Sequence, residues 1–499
     1  MIDAFALGYV HAKLSGVSDG KFEMVCDWVG REEASVRVLF IAYDNDSHIS
    51  FFPLGYAYLA AACRAAGHEA LIYQQDTHHW PDSHLTKYLD ENNIDVVGLG
   101  ACAGYYQYRR ILSLSAAINN SKKRPFYILG GTIATPEPEY FLRKTGADAV
   151  VLGEGEGIIC ELLNALSSKA SKASLSNIKG VAYMSGGEAI INERPDPPDL
   201  NDLPFPAWDL FEMDHYVLNT YYPANKAKRT MAMLSGRGCP YHCTFCYRME
   251  GGMRLRDVDS IIEEASKLVK DYDIGYLHFY DELVISSPQR AIELSEAIIK
   301  AGLNAKWGCA GRLNIVTQEA LHAMKAAGCE FIGYGMESMD DEVLRRMNKQ
   351  LTSETILRGV EMTMDAGIMV GFNFIFGNFG DTKESLQKSV DFLIKYDRQS
   401  QVRTIRPVTP YPGCPLYTFA VRKGMIKDCE DFYENVHTNS DLLTVNFSEL
   451  SDDEFYSALH SANKQLLDNY YRCNQKSVYE TLDNLYINRD ASFRGFRKV

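Results

Sequence analysis

The chain has 499 residues, 46% of them hydrophobic and 23% charged, with a formal net charge of −14. That length exceeds one ordinary domain and leads to an expectation of two to four, with apolar content sufficient for packed cores. The acidic balance argues against a nucleic-acid partner, which needs a concentrated basic face, and the longest apolar run, 366–377, is too short for a membrane span and is broken by Asn373.

Residues 1–34 carry no clear period and read as an N-terminal extension. From residue 36 apolar strands alternate with helical patterns: strands at 36–43, 70–73, 94–100, 126–131 and 147–152, and helices at 54–66, 84–92, 108–118 and 157–166. Such alternation implies a parallel sheet covered on both faces. Five strands of this kind predict a flavodoxin-like, doubly wound (Rossmann-like) α/β domain over 35–170, whose ligands bind beyond the carboxyl ends of the strands. Residues 171–226 read as a hairpin around Gly186-Gly187 followed by a proline-rich linker docked by Trp208.

A second series begins near Met231, with strands at 231–235, 276–280, 306–310, 331–335, 370–376 and 404–409. Helices at 258–270, 289–301, 318–327, 354–366 and 383–395 separate them. Six such units predict a partial (β/α)6 TIM-type barrel over 227–425, with its active site at the carboxyl ends of the strands. Residues 426–499 read as a small, mainly helical C-terminal region with a helix at 453–470.

Cys239, Cys243 and Cys246 follow the first strand of the second series in the run Gly238-Cys239-Pro240-Tyr241-His242-Cys243-Thr244-Phe245-Cys246-Tyr247. Three thiolates on one loop can hold three irons of a [4Fe–4S] cluster and leave the fourth iron open. A structural zinc site is the alternative; it wants four closed ligands, usually as two pairs, and His242 is awkwardly placed to join from between two of the cysteines. The remaining nine of the 12 cysteines are scattered singly, and together with the motif they point to a reducing cytoplasm rather than a disulfide framework.

The cysteine loop resembles the radical S-adenosylmethionine (SAM) superfamily, and the domain before it resembles the cobalamin-binding domain of the cobalamin-dependent branch. The resemblance implies that Cys239, Cys243 and Cys246 bind the cluster and that the open iron takes the amino and carboxylate groups of SAM. It implies further SAM contacts at Phe245, at Tyr280-Asp281-Glu282 after the second barrel strand, at Arg312 after the third, at Glu337 after the fourth and at Gly377 after the fifth. Thr409-Pro-Tyr-Pro-Gly413 resembles a common closing motif. On the cobalamin side it implies Leu54 and Gly55, then Gly130, Gly131 and Thr132, then Glu154 and Gly155. His48, in Asp46-Ser-His48, lacks the following glycine of the usual lower-ligand motif.

The implied cofactors are one [4Fe–4S] cluster, SAM and cobalamin, with an external electron donor such as flavodoxin or ferredoxin and a small-molecule or natural-product-like substrate. The implied activity is reductive SAM cleavage to a 5′-deoxyadenosyl radical for methylation of an unactivated carbon. Non-methylating ring formation, rearrangement or oxidation is the alternative, and a cobalamin-binding sensor with a degenerate barrel a third. No catalytic residue for the substrate step is identified.

Overall fold

Both series fold as parallel sheets, because their strands are apolar on both faces and each is followed by a helix that covers one of them. In the first, β1 (Arg37–Ala42), β2 (Glu69–Gln74), β3 (Val96–Gly100), β4 (Phe126–Gly130) and β5 (Ala149–Val151) are parallel. Val38, Leu39, Phe40 and Ile41 are all buried, as a central strand requires. The hairpin β6 (Val181–Ser185) and β7 (Glu188–Ile191) adds two antiparallel strands, giving the order β2-β1-β3-β4-β5-β6-β7. The hairpin predicted as part of a linker therefore completes the first sheet, with Val181 and Ala182 fully buried against β5. The computed structural model describes residues 35–46, 51–167, 172–218, 229–397 and 402–492. The predicted 1–34 extension and His48 lie outside them.

The second sheet begins with β8 (Thr230–Met233). A short antiparallel ribbon, β9 (Gly236–Gly238) and β10 (Met253–Leu255), interrupts it before β11 (Tyr276–Phe279). It continues through β12 (Lys306–Gly311), β13 (Cys329–Glu337), β14 (Met369–Phe376) and β15 (Arg406–Pro407). Its six parallel strands run β15-β14-β13-β12-β11-β8, so the barrel is a half-barrel rather than a closed ring. Ser287, Thr317, Thr352 and Thr382 each cap the helix that follows, accepting a hydrogen bond from a backbone N–H three residues on. These caps fix where each barrel helix starts and hence how long each strand-end loop is.

The domains share cores. Phe52, Leu54, Ala57 and Tyr58 of the first domain pack with Trp208, Phe211 and the barrel residues Met231, Met233 and Ile261. Residues 408–447 pack on the first domain, where Tyr433 stacks on Tyr108 with ring centres 4.5 Å apart. Glu434 accepts from Tyr108 Oη at 2.5 Å and pairs with Lys144 at 2.8 Å. The C-terminal helix runs from Asp452 to Leu482, beyond the predicted 453–470, and packs on Lys383–Tyr396; its buried residues stop at Asn469.

Candidate active site between the two sheets

The cysteine loop is the tip of a hairpin standing at the carboxyl end of β8. Gly236 and Gly238 on β9 face Leu255 and Met253 on β10, and residues 239–252 form the tip. The tip has almost no ladder of its own and is held by neighbours. The Thr244 N–H donates to the Met347 carbonyl at 3.0 Å and Asn348 Nδ2 to the His242 carbonyl at 2.9 Å. From the other side the Leu416 N–H donates to the Thr244 carbonyl at 3.0 Å. Tyr247, next to Cys246, lies against Gly413 of the closing motif, whose other neighbour is Pro136 in the loop after β4. Gly413 has φ 95°, and a Cβ there would fall 2.5 Å from the Tyr247 ring, so the close approach requires glycine.

Carboxylates from the end of β11 fix the root of the hairpin. Asp281 is buried and accepts from the Ser235 N–H at 2.8 Å and from the Ser235 hydroxyl. Burial pushes its carboxyl up to about 7, against the Ser235 hydrogen bonds, which favour the charged form. Glu282 is exposed and accepts from the Gly238 N–H, one residue before Cys239, at 3.0 Å. Tyr280 joins the same corner by donating its N–H to the Met233 carbonyl at 2.9 Å.

The thiols lie in a positive environment. Cys243 is buried, and its thiol is pushed down to about 6, first by a hydrogen bond from Cys246 and then, against burial, by the charges of Lys349 and Arg312. Cys246, the donor in that contact, is pushed up. Arg312 is buried, lies 3.6 Å from the Tyr241 ring centre, bonds Asn314 Oδ1 at 3.0 Å, and keeps its Nη2 without a hydrogen-bond partner. Such an orphaned buried donor suits an anionic ligand. Among the described residues no three His, Cys, Asp or Glu side chains converge on one point as ligands of a single ion would.

Lys349 escaped the sequence reading. It donates to Glu337 Oε1 at 2.9 Å and lies 5.7 Å from the Phe245 ring centre, which joins Glu337 and Phe245 to the thiols. Glu337 adopts φ 69° beside a register shift between β13 and β14, a left-handed conformation that costs a non-glycine residue about 1–2 kcal/mol. Gly377 stands apart, against Phe455. Its N–H and that of Asn378 donate to Asp381 Oδ2 at 2.9 and 2.8 Å. The Asn378 amide is buried with neither its nitrogen nor its oxygen partnered.

In the first domain, Gly131 (φ 87°) brings the loop after β4 so close to Ala101 that a Cβ would lie 2.4 Å from its carbonyl oxygen. Neighbouring Thr132 accepts from the Ala103 N–H at 3.2 Å, and Gly130 sits at the end of β4 beside them. Gly55 is exposed with open space above it, whereas the Leu54 side chain turns into the core shared with the barrel. Gly155 opens the helix Gly155–Ser167. The Glu154 carboxylate is taken up by Arg237 and Arg254 of the cysteine hairpin, so this side chain faces the barrel.

Residues 233–393 match the radical SAM superfamily and residues 42–163 the B12 binding domain. The chain is 31% identical over 381 residues to an uncharacterized methyltransferase of Pyrococcus horikoshii, covering 75% of this chain and 79% of that relative. It is 26% identical over 411 residues to the anaerobic magnesium-protoporphyrin IX monomethyl ester cyclase of Rubrivivax gelatinosus, covering 80% and 72%. In fold it is similar to the radical SAM methyltransferase TsrM from Kitasatospora setae, solved with cobalamin and a [4Fe–4S] cluster bound. That likeness has a TM-score of 0.68 at 17% identity and covers 87% of this chain and 89% of that one.

Proposed function

The chain belongs to the cobalamin-binding branch of the radical SAM superfamily, and from that premise we propose that it methylates an unactivated carbon of a small-molecule or natural-product-like substrate. Its cofactors are a [4Fe–4S] cluster, SAM and cobalamin. One observation carries the methyl-transfer reading: the B12-binding domain abuts the cysteine hairpin itself, with Tyr247 and Pro136 meeting over Gly413 and Glu154 gripping Arg237. Methylation joins a methyl group to a substrate radical, so the regions that would hold the two cofactors must adjoin one space. The chemistry these groups supply when bound is a 5′-deoxyadenosyl radical from one-electron cleavage of SAM and a methyl group from methylcobalamin.

The chain's own part is to bind and to exclude water. Cys239, Cys243 and Cys246 are the cluster ligands in this reading. Arg312, with its unsatisfied Nη2, would hold an anionic group of SAM, and Phe245, whose ring centre lies 5.7 Å from the Lys349 ammonium, would lie near the adenine. Glu337, oriented by Lys349, would accept from a ribose hydroxyl. Asp281 and Glu282 keep the hairpin root in register, and with Tyr280 would support the methionine amine of SAM. Gly55, Gly130, Gly131, Thr132 and Gly155 line the corrin side with backbone rather than bulky side chains.

The electron comes from a small reducing carrier such as flavodoxin or ferredoxin, which fits a cytoplasmic setting. Among the described residues no helix is long and apolar enough to cross a membrane.

Product analysis tests the proposal. The reconstituted protein, reduced anaerobically with SAM, cobalamin and the metabolite that accumulates in a deletion strain, is expected to form S-adenosylhomocysteine and 5′-deoxyadenosine in about equal amounts with a product heavier by one methyl group. Turnover giving 5′-deoxyadenosine without S-adenosylhomocysteine would instead assign the chain to ring formation or oxidation, the chemistry named for its cyclase relative.

A further inference from the structure

Two residues before Cys239, the side chain of Arg237 leaves the hairpin and enters the first domain. Its Nη1 donates to Glu154 Oε2 at 2.8 Å and its Nη2 to Glu156 Oε1 at 2.6 Å. Its guanidinium carbon lies 5.3 Å from the centre of the Tyr58 ring. Glu154 and Glu156 follow β5 at the carboxyl edge of the first sheet, and Tyr58 lies on helix Leu54–Ala65, whose first turn carries Gly55. One guanidinium thus grips two elements at the end of the sheet where ligands of doubly wound domains bind.

The register of the ribbon makes this grip necessary. Arg254 stands directly opposite Arg237, and like charges directly opposite on paired strands repel. Arg254 donates to the second oxygen of Glu154, so the first domain supplies the counter-charge that the ribbon requires. The side chains are 16% exposed for Arg237, 9% for Glu154 and 6% for Glu156, too little for salt or water to stand in for them.

Nor is there slack between Arg237 and Cys239. Gly238 has φ 89°, a Cβ on it would fall 2.5 Å from the Gly252 carbonyl oxygen, and its N–H is held by Glu282. A shift of the loop after β5 therefore reaches Cys239 through one pinned residue.

We infer that Arg237 is a positioning residue that makes cobalamin binding in the first domain and SAM binding at the hairpin depend on each other. A ligand that fixes the loop after β5 also fixes the hairpin root, so the second ligand meets a site already ordered. By linkage the effect is reciprocal. The inference goes beyond methyl transfer, since it holds for any reaction the two cofactors share, and it is tested without turnover.

The chain carrying its reconstituted cluster, without reductant or substrate, is titrated with hydroxocobalamin in the presence and absence of saturating SAM, and binding is followed by the visible cobalamin bands. The wild-type affinity is expected to be at least about fivefold tighter with SAM. Arg237→Lys offers one compact charge where a fork bridges two carboxylates, and is expected to bring the ratio to within about twofold of one. Glu156→Gln, which keeps size and removes one arm, is expected to do the same if Arg237→Lys fails to take up its cluster. Arg64→Gln breaks the exposed pair with Asp209, at 2.8 Å, on the same helix as Tyr58 and is expected to leave the ratio at the wild-type value. A merely structural brace would lower both affinities and preserve their ratio. A wild-type ratio of one, or a ratio that survives both Arg237→Lys and Glu156→Gln, overturns the assignment.

Discussion

Lys349 offers the sharpest perturbation of the site. Its ion pair with Glu337 has a 2.9 Å separation, and the two side chains are 8% and 10% exposed. At that distance and an effective dielectric constant of about 20, Coulomb attraction is worth about 6 kcal/mol, most of which offsets the cost of taking both charges out of water. Removing one partner alone leaves the other buried and uncompensated. Lys349→Met is therefore expected to destabilise the chain by about 3–5 kcal/mol. Glu337→Gln in the same background removes the stranded charge and is expected to recover at least half of that loss. Urea denaturation of the cluster-free chain, followed by circular dichroism, measures both, with the barrel transition analysed separately because a chain of several domains need not unfold in one step. The thiols supply a second readout: without Lys349 the Cys243 thiol loses one of the charges that hold it down, so cluster retention is expected to fall. A Lys349→Met cost below about 1 kcal/mol, or a double variant no more stable than Lys349→Met, would refute the reasoning.

Gly413→Ala places a Cβ 2.5 and 2.6 Å from two Tyr247 ring atoms and 2.9 Å from Pro136 at a left-handed φ, with an expected cost of about 2–5 kcal/mol and a loss of bound iron. Unchanged denaturation and iron content would show that Tyr247 is not held as described. Burial raises the Asp281 carboxyl to about 7, so between roughly pH 4 and 7 the folded chain keeps a proton that the unfolded chain has lost. Its stabilising contribution is present in acid and disappears as pH rises through 7. Asp281→Asn mimics the neutral carboxyl, and its stability is expected to fall less than that of wild type between about pH 5 and pH 8; equal falls would contradict the assignment.

The parts legible in the sequence are those with a period. Most strands from residue 36 to 152 and most barrel strands are short apolar runs, and the capping Ser and Thr residues stand where four of the barrel helices begin. The ribbon β9–β10 was illegible because Gly236-Arg237-Gly238 carries no alternation; its pairing is set by the hairpin's position after β8. Helix Pro138–Thr145 was missed for a similar reason, its apolar residues being too few to mark a period in eight positions. The hairpin at Gly186-Gly187 was visible as a hairpin, but nothing local shows that it pairs with β5. In the site, the cysteine spacing is legible by itself, whereas Asp281, Arg312 and Glu337 enter through the family resemblance, each at the end of a predicted strand. Lys349 and Asn348 lie in a turn after a short helix, and only the fold brings that turn under the cysteine loop. Glu154 was legible as a loop residue but not as the partner of Arg237, 83 residues away.

The most direct measurement is SAM cleavage by the anaerobically reconstituted, strongly reduced protein. Wild type is expected to convert SAM to methionine and 5′-deoxyadenosine, and Cys239→Ser, Cys243→Ser and Cys246→Ser each to abolish that conversion along with bound iron. A wild-type protein that holds a reduced cluster and leaves SAM intact, or a Cys243→Ser protein that cleaves it as wild type does, would contradict the assignment of this loop as the radical-generating centre.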